Sequence, residues 1–261
     1  MYILGIDCAW TYNAPSGIAL IHYEPNRKAE LIKFGRSYDE FCSDEIKWSE
    51  PALIGRPDFP SLLQFCTTRG WDVNVIALDI PLSPGLITGR RSCDNEVSKA
   101  YGAKGAAVHS PNGQRPGKLA VHIFRQLHDA NFVWNGDPQK DKVFIEVYPH
   151  ASIIELMKLD YRLPYKAEKK RIYFPDSTAE ERNYYIISNL NRLRDCISEH
   201  IDKIDGMIPK LNTNICYATQ YLKGYEDVLD ALICAITGLF YVQGRIKAFG
   251  GTDEKIWVTA I

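Results

Sequence analysis

The chain begins MYILGID (residues 1–7), a short apolar run that ends in a carboxylate. A run of this length and composition predicts a strand that is buried on both faces. Asp7 interrupts the run and no basic residue precedes it, which argues against a signal peptide. We therefore expect the first strand of a buried sheet, with Asp7 at its carboxyl end.

Two further strands are predicted close behind the first. They cover residues 18–23 and 29–35, and turn signals precede them at Pro15-Ser16-Gly17 and Pro25-Asn26. Three strands joined by such short turns predict an antiparallel meander.

Helices then alternate with strands along the rest of the chain. Strands are predicted at 73–78 and 142–148, and helices at 38–47, 60–69, 118–131, 152–159, 178–205 and 225–245. This order resembles the RNase H-like fold, an α/β fold with a mixed sheet, antiparallel first strands and helices on both faces. We expect a single domain over residues 1–261, with insertions at about 83–117 and 160–222, the second of them a helical insertion before the last helix.

Composition and charge exclude several classes of protein. The chain of 261 residues is 46% hydrophobic and 24% charged, which excludes disordered and collagen-like proteins. Its net charge of −1 means that any site for a polyanion must be a local patch. Seven cysteines without a Cys-x-x-Cys pair argue against a zinc ribbon and exclude full disulfide pairing. The longest strongly apolar segment, residues 231–242, is too short to cross a bilayer, so we expect a cytoplasmic protein without a membrane partner.

Five carboxylates lie where burial would be costly without a partner. They are Asp7 at the end of the first strand, Asp79 at the end of the fourth, Glu146 within the fifth, and Asp227 and Asp230 in the first turns of the last helix. Burying an ionised carboxylate is costly unless it is paired or bound to a metal. Sites in open α/β sheets form at the carboxyl ends of strands, and residues three apart share a helix face. The pattern predicts a site for Mg²⁺ or Mn²⁺, which in pairs about 4 Å apart promote phosphodiester hydrolysis.

A structural interpretation of the same acids stays open. Asp227 and Asp230 near a helix start would complement the helix dipole. Asp79, which precedes Ile80-Pro81, would cap a turn, and Asp7 would lie exposed at a strand end.

Seven segments, in chain order, resemble the domain-of-unknown-function 429 family of predicted RNase H-like nucleases. They are Gly5-Ile6-Asp7, Pro15-Ser16-Gly17-Ile18-Ala19, Ala77-Leu78-Asp79-Ile80-Pro81-Leu82, Arg91-Ser92-Cys93-Asp94, Glu146-Val147-Tyr148-Pro149-His150, Tyr165-Lys166 and Asp227-Val228-Leu229-Asp230-Ala231-Leu232. The resemblance implies an RNase H-like fold and an acidic metal site. Nuclease activity in that family is itself an inference from the fold, and fold alone does not define function.

The last helix also resembles that of Holliday-junction resolvases, which end in a similar Asp-x-x-Asp-Ala helix. That resemblance implies that Asp7, Asp79, Asp227 and Asp230 are metal ligands. Glu146 has no clear counterpart, so it is either an acid that orients a neighbour or an additional ligand. We treat all five as candidate catalytic residues. Because junction-type enzymes are often dimers, a homodimer is kept as an option.

Five more residues are candidates for substrate binding. Arg91 and Asp94 belong to a family-like segment and are expected to pair beside the site. His150 follows a strand end, where it can orient a carboxylate or a water. Lys166 and Arg171 belong to a basic segment that can contact phosphate.

We therefore expect a metal-dependent nuclease or phosphodiesterase acting on DNA or RNA. One alternative is a non-catalytic module that binds nucleic acid or protein, which the absence of a strongly basic face favours. Another is an ATP-dependent phosphotransferase of the related actin-like fold, which needs Gly-rich turns at the phosphates. Here Asp7 is followed by Cys8-Ala9-Trp10 and Asp79 by Ile80-Pro81, and neither turn is rich in glycine.

Overall fold

A mixed sheet of seven strands lies at the centre of the computed structural model, which describes residues 1–43, 45–46, 48 and 50–261. Within those residues the strands are β1 (Tyr2–Asp7), β2 (Gly17–His22), β3 (Ala29–Gly35), β4 (Val73–Leu78), β5 (Val133–Trp134), β6 (Val143–Glu146) and β7 (Ile201–Asp202). Their spatial order is β5-β6-β4-β1-β2-β3-β7.

The helices and a separate hairpin surround this sheet. The helices are α1 (Tyr38–Phe41), α2 (Phe59–Thr68), α3 (Ser92–Tyr101), α4 (Lys118–Asp129), α5 (Pro149–Leu156), α6 (Lys170–Tyr173), α7 (Ala179–His200), α8 (Ile204–Met207) and α9 (Thr219–Val242). Strands β8 (Ile246–Phe249) and β9 (Ile256–Thr259) form an antiparallel hairpin outside the sheet. Among the described residues, no helix combines the length and the apolar character needed to cross a bilayer.

The strand directions confirm the predicted fold class. Strands β1, β2 and β3 form the expected antiparallel meander. On the other side of β1, β4 pairs with it in parallel, and β6 pairs with β4 in parallel. The order β3-β2-β1-β4-β6 with these directions is consistent with an RNase H-like fold.

The apolar strands are buried because helices cover both faces of the sheet. Side chains alternate along a strand, so Ile3 of β1 packs into a cluster with residues of α7 and α9, whereas Leu4 and Ile6 pack with residues of α2 and α4. This two-sided burial explains why β1 is a continuous apolar run without polar alternation.

Two glycines let α9 lie directly against the sheet. A Cβ atom at Gly5 would lie 2.1 Å from the carbonyl oxygen of Ala231, and one at Gly17 would lie 2.0 Å from that of Asp227. At both positions the backbone of α9 lies too close to the strand for any residue larger than glycine. Because Gly17 is the ladder partner of Asp7, the contact holds the Asp227 turn of α9 beside the end of β1.

Several predicted boundaries are wrong. The last helix begins at Thr219, not at residue 225, so Asp227 and Asp230 lie in its third and fourth turns. The dipole interpretation of these two acids therefore fails, because that effect is confined to the first turn. The helix predicted over 178–205 ends at His200, where β7 begins.

Two further segments differ from a simple sequence prediction. The insertion predicted at about 83–117 contains a regular helix, α3. Of the helix predicted at 38–47, the structure shows α1 alone, and Asp44 and Lys47 lie outside the described residues.

Candidate functional site

Carboxylates lie at the carboxyl ends of two neighbouring parallel strands. Asp7 is the last residue of β1, and Asp79 directly follows β4. The ladder continues past β4, because the Asp79 N–H donates to the Ile6 carbonyl oxygen at 2.9 Å, and this bond holds Asp79 beside Asp7. Among the described residues, no hydrogen bond or ion pair reaches either carboxylate. Burial raises the pKa of Asp79, and the charges of Asp7 and Asp230 raise it further. The charge of Lys166 opposes this shift in the pKa of Asp79, but Lys166 forms no ion pair with either carboxylate.

Three more acids come from one face of α9. Glu226, Asp227 and Asp230 are all buried. Burial holds the pKa of Asp227 well above its usual range, although Lys223 opposes the shift. Burial also raises the pKa of Asp230 to about 6, against the opposing charge of Lys166. These acids therefore add carboxyl groups beside the strand ends, and burial favours the uncharged form of Asp227 and Asp230.

Lys166 pairs with two of these acids. Its ammonium group forms an ion pair with Asp230 and a second with Glu226 Oε1 at 3.0 Å. The other Glu226 oxygen accepts a hydrogen bond from the Ala167 N–H at 2.8 Å. Burial lowers the pKa of Lys166, but Asp230 and Glu226 outweigh it and hold that pKa well above its usual range. Lys166 is thus a fixed positive charge within the acid cluster.

Lys223 holds the third acid. It forms an ion pair with Asp227 one helical turn away and lies 3.5 Å from Glu226 Oε1. Burial lowers the pKa of Lys223, but Asp227 and Glu226 outweigh it and raise that pKa. The cluster therefore has two lysines for five acids, and Asp7 and Asp79 are the acids without a lysine.

A cavity of about 810 Å³ opens onto this cluster. Asp7, Asp79 and Asp227 line it, and we call these three the acidic group. His109, Arg115 and Lys169 also line it, and we call these three the basic group. Burial lowers the pKa of His109, and the charges of Lys169 and Arg115 lower it further, so these two cations lie near the imidazole.

His150 and Tyr165 connect the cavity to Asp230. The Tyr165 hydroxyl donates to Asp230 Oδ1 at 2.6 Å and lies 3.4 Å from His150 Nδ1. Arg162 approaches His150 Nε2 at 3.1 Å, and because a guanidinium can only donate, Nε2 accepts and the ring proton lies on Nδ1. Burial and the neighbouring cations Lys166 and Arg162 hold the pKa of His150 well below its usual range. His150 is therefore a neutral residue that supports Tyr165.

Glu146, Arg91 and Asp94 form a buried ion-paired group. Arg91 Nη1 donates to Glu146 Oε2 at 2.7 Å, and Arg91 Nη2 donates to Asp94 Oδ1 at 2.8 Å. Glu146 Oε2 also accepts from the Leu82 N–H at 2.8 Å. Burial raises the pKa of Glu146 to about 7, although Arg91 opposes it. Arg91 and Asp94 pair beside the site as expected, and the group ties α3 to the end of β6.

The predicted site residues thus fall into three sets. The structure brings Asp7, Asp79, Asp227, Asp230 and Lys166 together, and His150 lies at the same cavity. Glu146 also lines the cavity, but its oxygens are occupied by Arg91 and Leu82. Arg171 is exposed on α6 and is not among the residues that line the cavity. The catalytic and substrate-binding roles of these residues stay predictions.

Sequence reasoning missed two members of the cluster, because Glu226 and Lys223 were not singled out. A usable signal is present in α9, where Lys223, Glu226, Asp227 and Asp230 follow a spacing that places all four on one helix face. Four charged residues on one face of an otherwise apolar helix indicate a buried charged site.

A different group has the tighter spacing typical of metal ligands. Among the described residues, Cys196, Glu199 and His200 are the one set of three or more such side chains whose ligand atoms all lie within 4.8 Å of one another. They belong to the last turns of α7, next to β7 at the edge of the sheet, and none of them lines the cavity. The acidic group is more widely spaced.

Fold and site together define an α/β protein with an RNase H-like strand order and a central cavity that joins acidic and basic side chains. The chain matches the family described as "Protein of unknown function (DUF429)" over residues 5–255 and belongs to that family. A search of curated proteins and a search of solved structures gave no match. Membership confirms the family resemblance of the sequence motifs.

Proposed function

We propose that the protein is a metal-dependent phosphodiesterase that uses Mg²⁺ or Mn²⁺ to hydrolyse phosphodiester bonds in nucleic acid or nucleotides. One observation carries the proposal. Asp7 and Asp79 are neighbouring carboxylates that no hydrogen bond or ion pair reaches among the described residues, and they line a cavity that also contains basic side chains.

The acidic group suits a hard divalent cation. Carboxylate oxygens are the donors that Mg²⁺ and Mn²⁺ prefer, and a cation would offset the burial and the acid–acid repulsion that together raise the pKa of Asp79. Asp227 lines the same cavity and uses Oδ1 for Lys223. Asp230 differs, because Tyr165 and Lys166 take one oxygen each. We therefore propose Asp7, Asp79 and Asp227 as ligands of the cation. Asp230 keeps its ion pair with Lys166.

Hydrolysis would break the bond between phosphorus and the leaving oxygen. The oxygen of a water molecule bonds to phosphorus, one proton of that water ends on the leaving alcohol, and a phosphomonoester remains. A cation held by Asp7, Asp79 and Asp227 would supply an activated water and would neutralise charge on the phosphate. Lys166 stays paired with Asp230 and Glu226, and at the cavity its charge would add to the field around the phosphate oxygens without a direct contact to them.

The proposal also concerns partners and location. It implies nucleic acid or a nucleotide as the ligand, and it is compatible with the expected cytoplasmic location. All the residues assigned to the reaction come from one chain, so the chemistry does not require a homodimer.

A thermal melt with and without Mn²⁺ or Mg²⁺ tests the proposal. A ligand that binds only the folded state raises the melting temperature by mass action. We expect millimolar Mn²⁺ to raise it for the wild type and to have no such effect on Asp7→Asn. Asp176→Asn is the matched control, because Asp176 is exposed and outside the cavity.

Hydrolysis of bis(4-nitrophenyl) phosphate by the same variants completes the test. We expect the rate to fall by about 100-fold or more in Asp7→Asn and to stay unchanged in Asp176→Asn. A metal-dependent melting shift without hydrolysis of any phosphodiester would favour the non-catalytic binding module. No shift and no hydrolysis would show that the proposal is wrong.

A further inference from the structure

We propose that the cavity accepts the phosphodiester of a single nucleotide unit, either a free nucleotide ester or the last nucleotide of a strand, and not the interior of a duplex. This inference rests on the proposed function and names its substrate class.

The size of the cavity fits one such unit. A volume of about 810 Å³ lies within the range of roughly 300–1,000 Å³ that small-molecule sites occupy. A cavity of this size matches a compact ligand better than an extended one.

Separate segments of the chain line the cavity. Its lining comes from the loop after β1, from residues 108–115, from residues 147–150 after β6, from Lys166 to Lys169 and from α9. Ile256 of the terminal hairpin also contributes. A ligand in the cavity would therefore contact several segments of the chain at once, as a compact ligand does.

The number of available cations also fits a small phosphate ligand. Lys166 and Lys223 are paired with acids of the cluster. Within the described part of the chain, no side chain pairs with Lys169 or Arg115, and Glu168 is the acid next to them at the cavity. Two cations can neutralise one or two phosphate charges, whereas a duplex-binding protein typically contacts about 6–10 phosphates.

Apolar side chains complete the environment that a nucleoside needs. Trp10 and Tyr148 line the cavity together with Val108 and Ile256. Aromatic side chains stack on bases with little preference for sequence. The cavity therefore combines carboxylates, phosphate-binding cations and apolar surface in a volume suited to one nucleotide.

Four substrates, each with Mn²⁺, test this substrate class. They are the 4-nitrophenyl ester of thymidine 5′-monophosphate, a short linear single strand, the same strand circularised, and a closed circular duplex. We expect hydrolysis of the nucleotide ester and resistance of both circles. Stepwise shortening of the linear strand would identify a strand end as the source of the nucleotide, and an intact linear strand would identify a free nucleotide ester.

Variants of the basic group supply a second readout. We expect Lys169→Ala and Arg115→Ala each to raise KM for the nucleotide ester by about tenfold, with kcat changed by less than about threefold, because each loses a contact to the phosphate. Lys99→Ala and Arg125→Ala are matched controls, since both residues are exposed and outside the cavity.

The outcomes separate the two proposals. If Mn²⁺ raises the melting temperature but a circle is cut as fast as the nucleotide ester, the substrate class is wrong and the phosphodiesterase proposal stands. An unchanged KM in both variants would also overturn the substrate class. If Mn²⁺ gives no shift and no substrate is cut, the proposed function fails and this inference fails with it.

Discussion

Asp227 and Asp230 lie on one face of α9, yet their surroundings differ. Asp227 lines the cavity, whereas Asp230 gives one oxygen to Tyr165 and the other to Lys166. Neighbouring acids of one helix can therefore have separate roles. Asp227 is accessible to a cation in the cavity, whereas Asp230 fixes Tyr165 and Lys166.

The difference predicts unequal effects on metal affinity. We expect Asp227→Asn to weaken Mn²⁺ binding by about tenfold or more, because it removes a charged donor at the cavity. Asp230→Asn should change the affinity by less than about threefold, because this acid does not line the cavity. Isothermal titration calorimetry measures both. Equal losses in the two variants would contradict the assignment.

Lys166 provides a prediction about stability. In Lys166→Met, Glu226 and Asp230 lose their shared ammonium group and stay buried. We expect the free energy of unfolding at pH 7.5 to fall by about 2–4 kcal/mol, because unpaired buried charge is costly. Urea unfolding measures this change, and Lys99→Met is the exposed control.

The pH dependence of that loss is the sharper test. The pKa of Asp230 is already raised to about 6, so at pH 5 its carboxyl can take up a proton in place of the missing ammonium group. The penalty should therefore be smaller at pH 5 than at pH 7.5. A loss of the same size at both pH values would argue that Lys166 acts through packing alone.

At the scale of secondary structure, the contact of α9 with the meander positions the site. A Cβ at Gly17 would lie 2.0 Å from the Asp227 carbonyl oxygen, and this backbone contact cannot be relieved by a side-chain rotation. We expect Gly17→Ala to destabilise the protein by about 3 kcal/mol and to weaken Mn²⁺ binding, because α9 must move away. Denaturant unfolding and calorimetry measure the two effects.

Gly85→Ala is the control, since a Cβ at that exposed glycine would meet nothing within 4 Å. Stability equal to the wild type in Gly17→Ala would show that the helix does not need this close approach.

The elements that were predictable from sequence are those with a strong apolar pattern. The bounds of strand β1 were predicted within one residue. Its continuous apolar run is stable only where both faces of the strand are buried. The start of α9 was missed because its first turns are mostly polar and contain Gly224. Helix α3 was missed because it lies among loop-forming residues and begins after Arg91, whose N–H is held by Asp94.

The candidate site was predictable in part for a similar reason. Asp7 and Asp79 follow apolar strands, and parallel neighbours must end at the same edge, so their proximity follows from topology. Lys166 lies in an irregular segment about 60 residues before its partners, and no local pattern indicates which acid it reaches. Long-range pairs of this kind depend on the packing of the complete fold.

For the whole molecule, the buried acids predict a pH-dependent stability. The pKa of Asp230 is about 6, above its usual 3.8, so the folded state holds a proton that the unfolded state releases between these values. The free energy of unfolding should therefore fall as pH rises from about 4 to 6, by roughly 3 kcal/mol for this group. Burial raises the pKa of Asp79 and Asp227 as well, and their contributions have the same sign.

Comparing the wild type with Asp230→Asn isolates this contribution from the other titrating groups. We expect the stability of the variant relative to the wild type to increase as pH rises from 4 to 6, because asparagine cannot ionise. Urea unfolding at a series of pH values measures the difference. A difference that does not change with pH would show that Asp230 titrates normally in the folded protein.

The close contact between α9 and the first strands has a consequence for synthesis on the ribosome. Residues 219–242 are translated long after β1, β2 and β4, which they cover. Until α9 emerges, an apolar face of the nascent sheet has no native cover, and nascent chains in that state are prone to aggregation. Asp227 reaches Asp7 only when α9 packs onto the sheet, so the chain would gain its proposed cation site in the same event that buries its sheet.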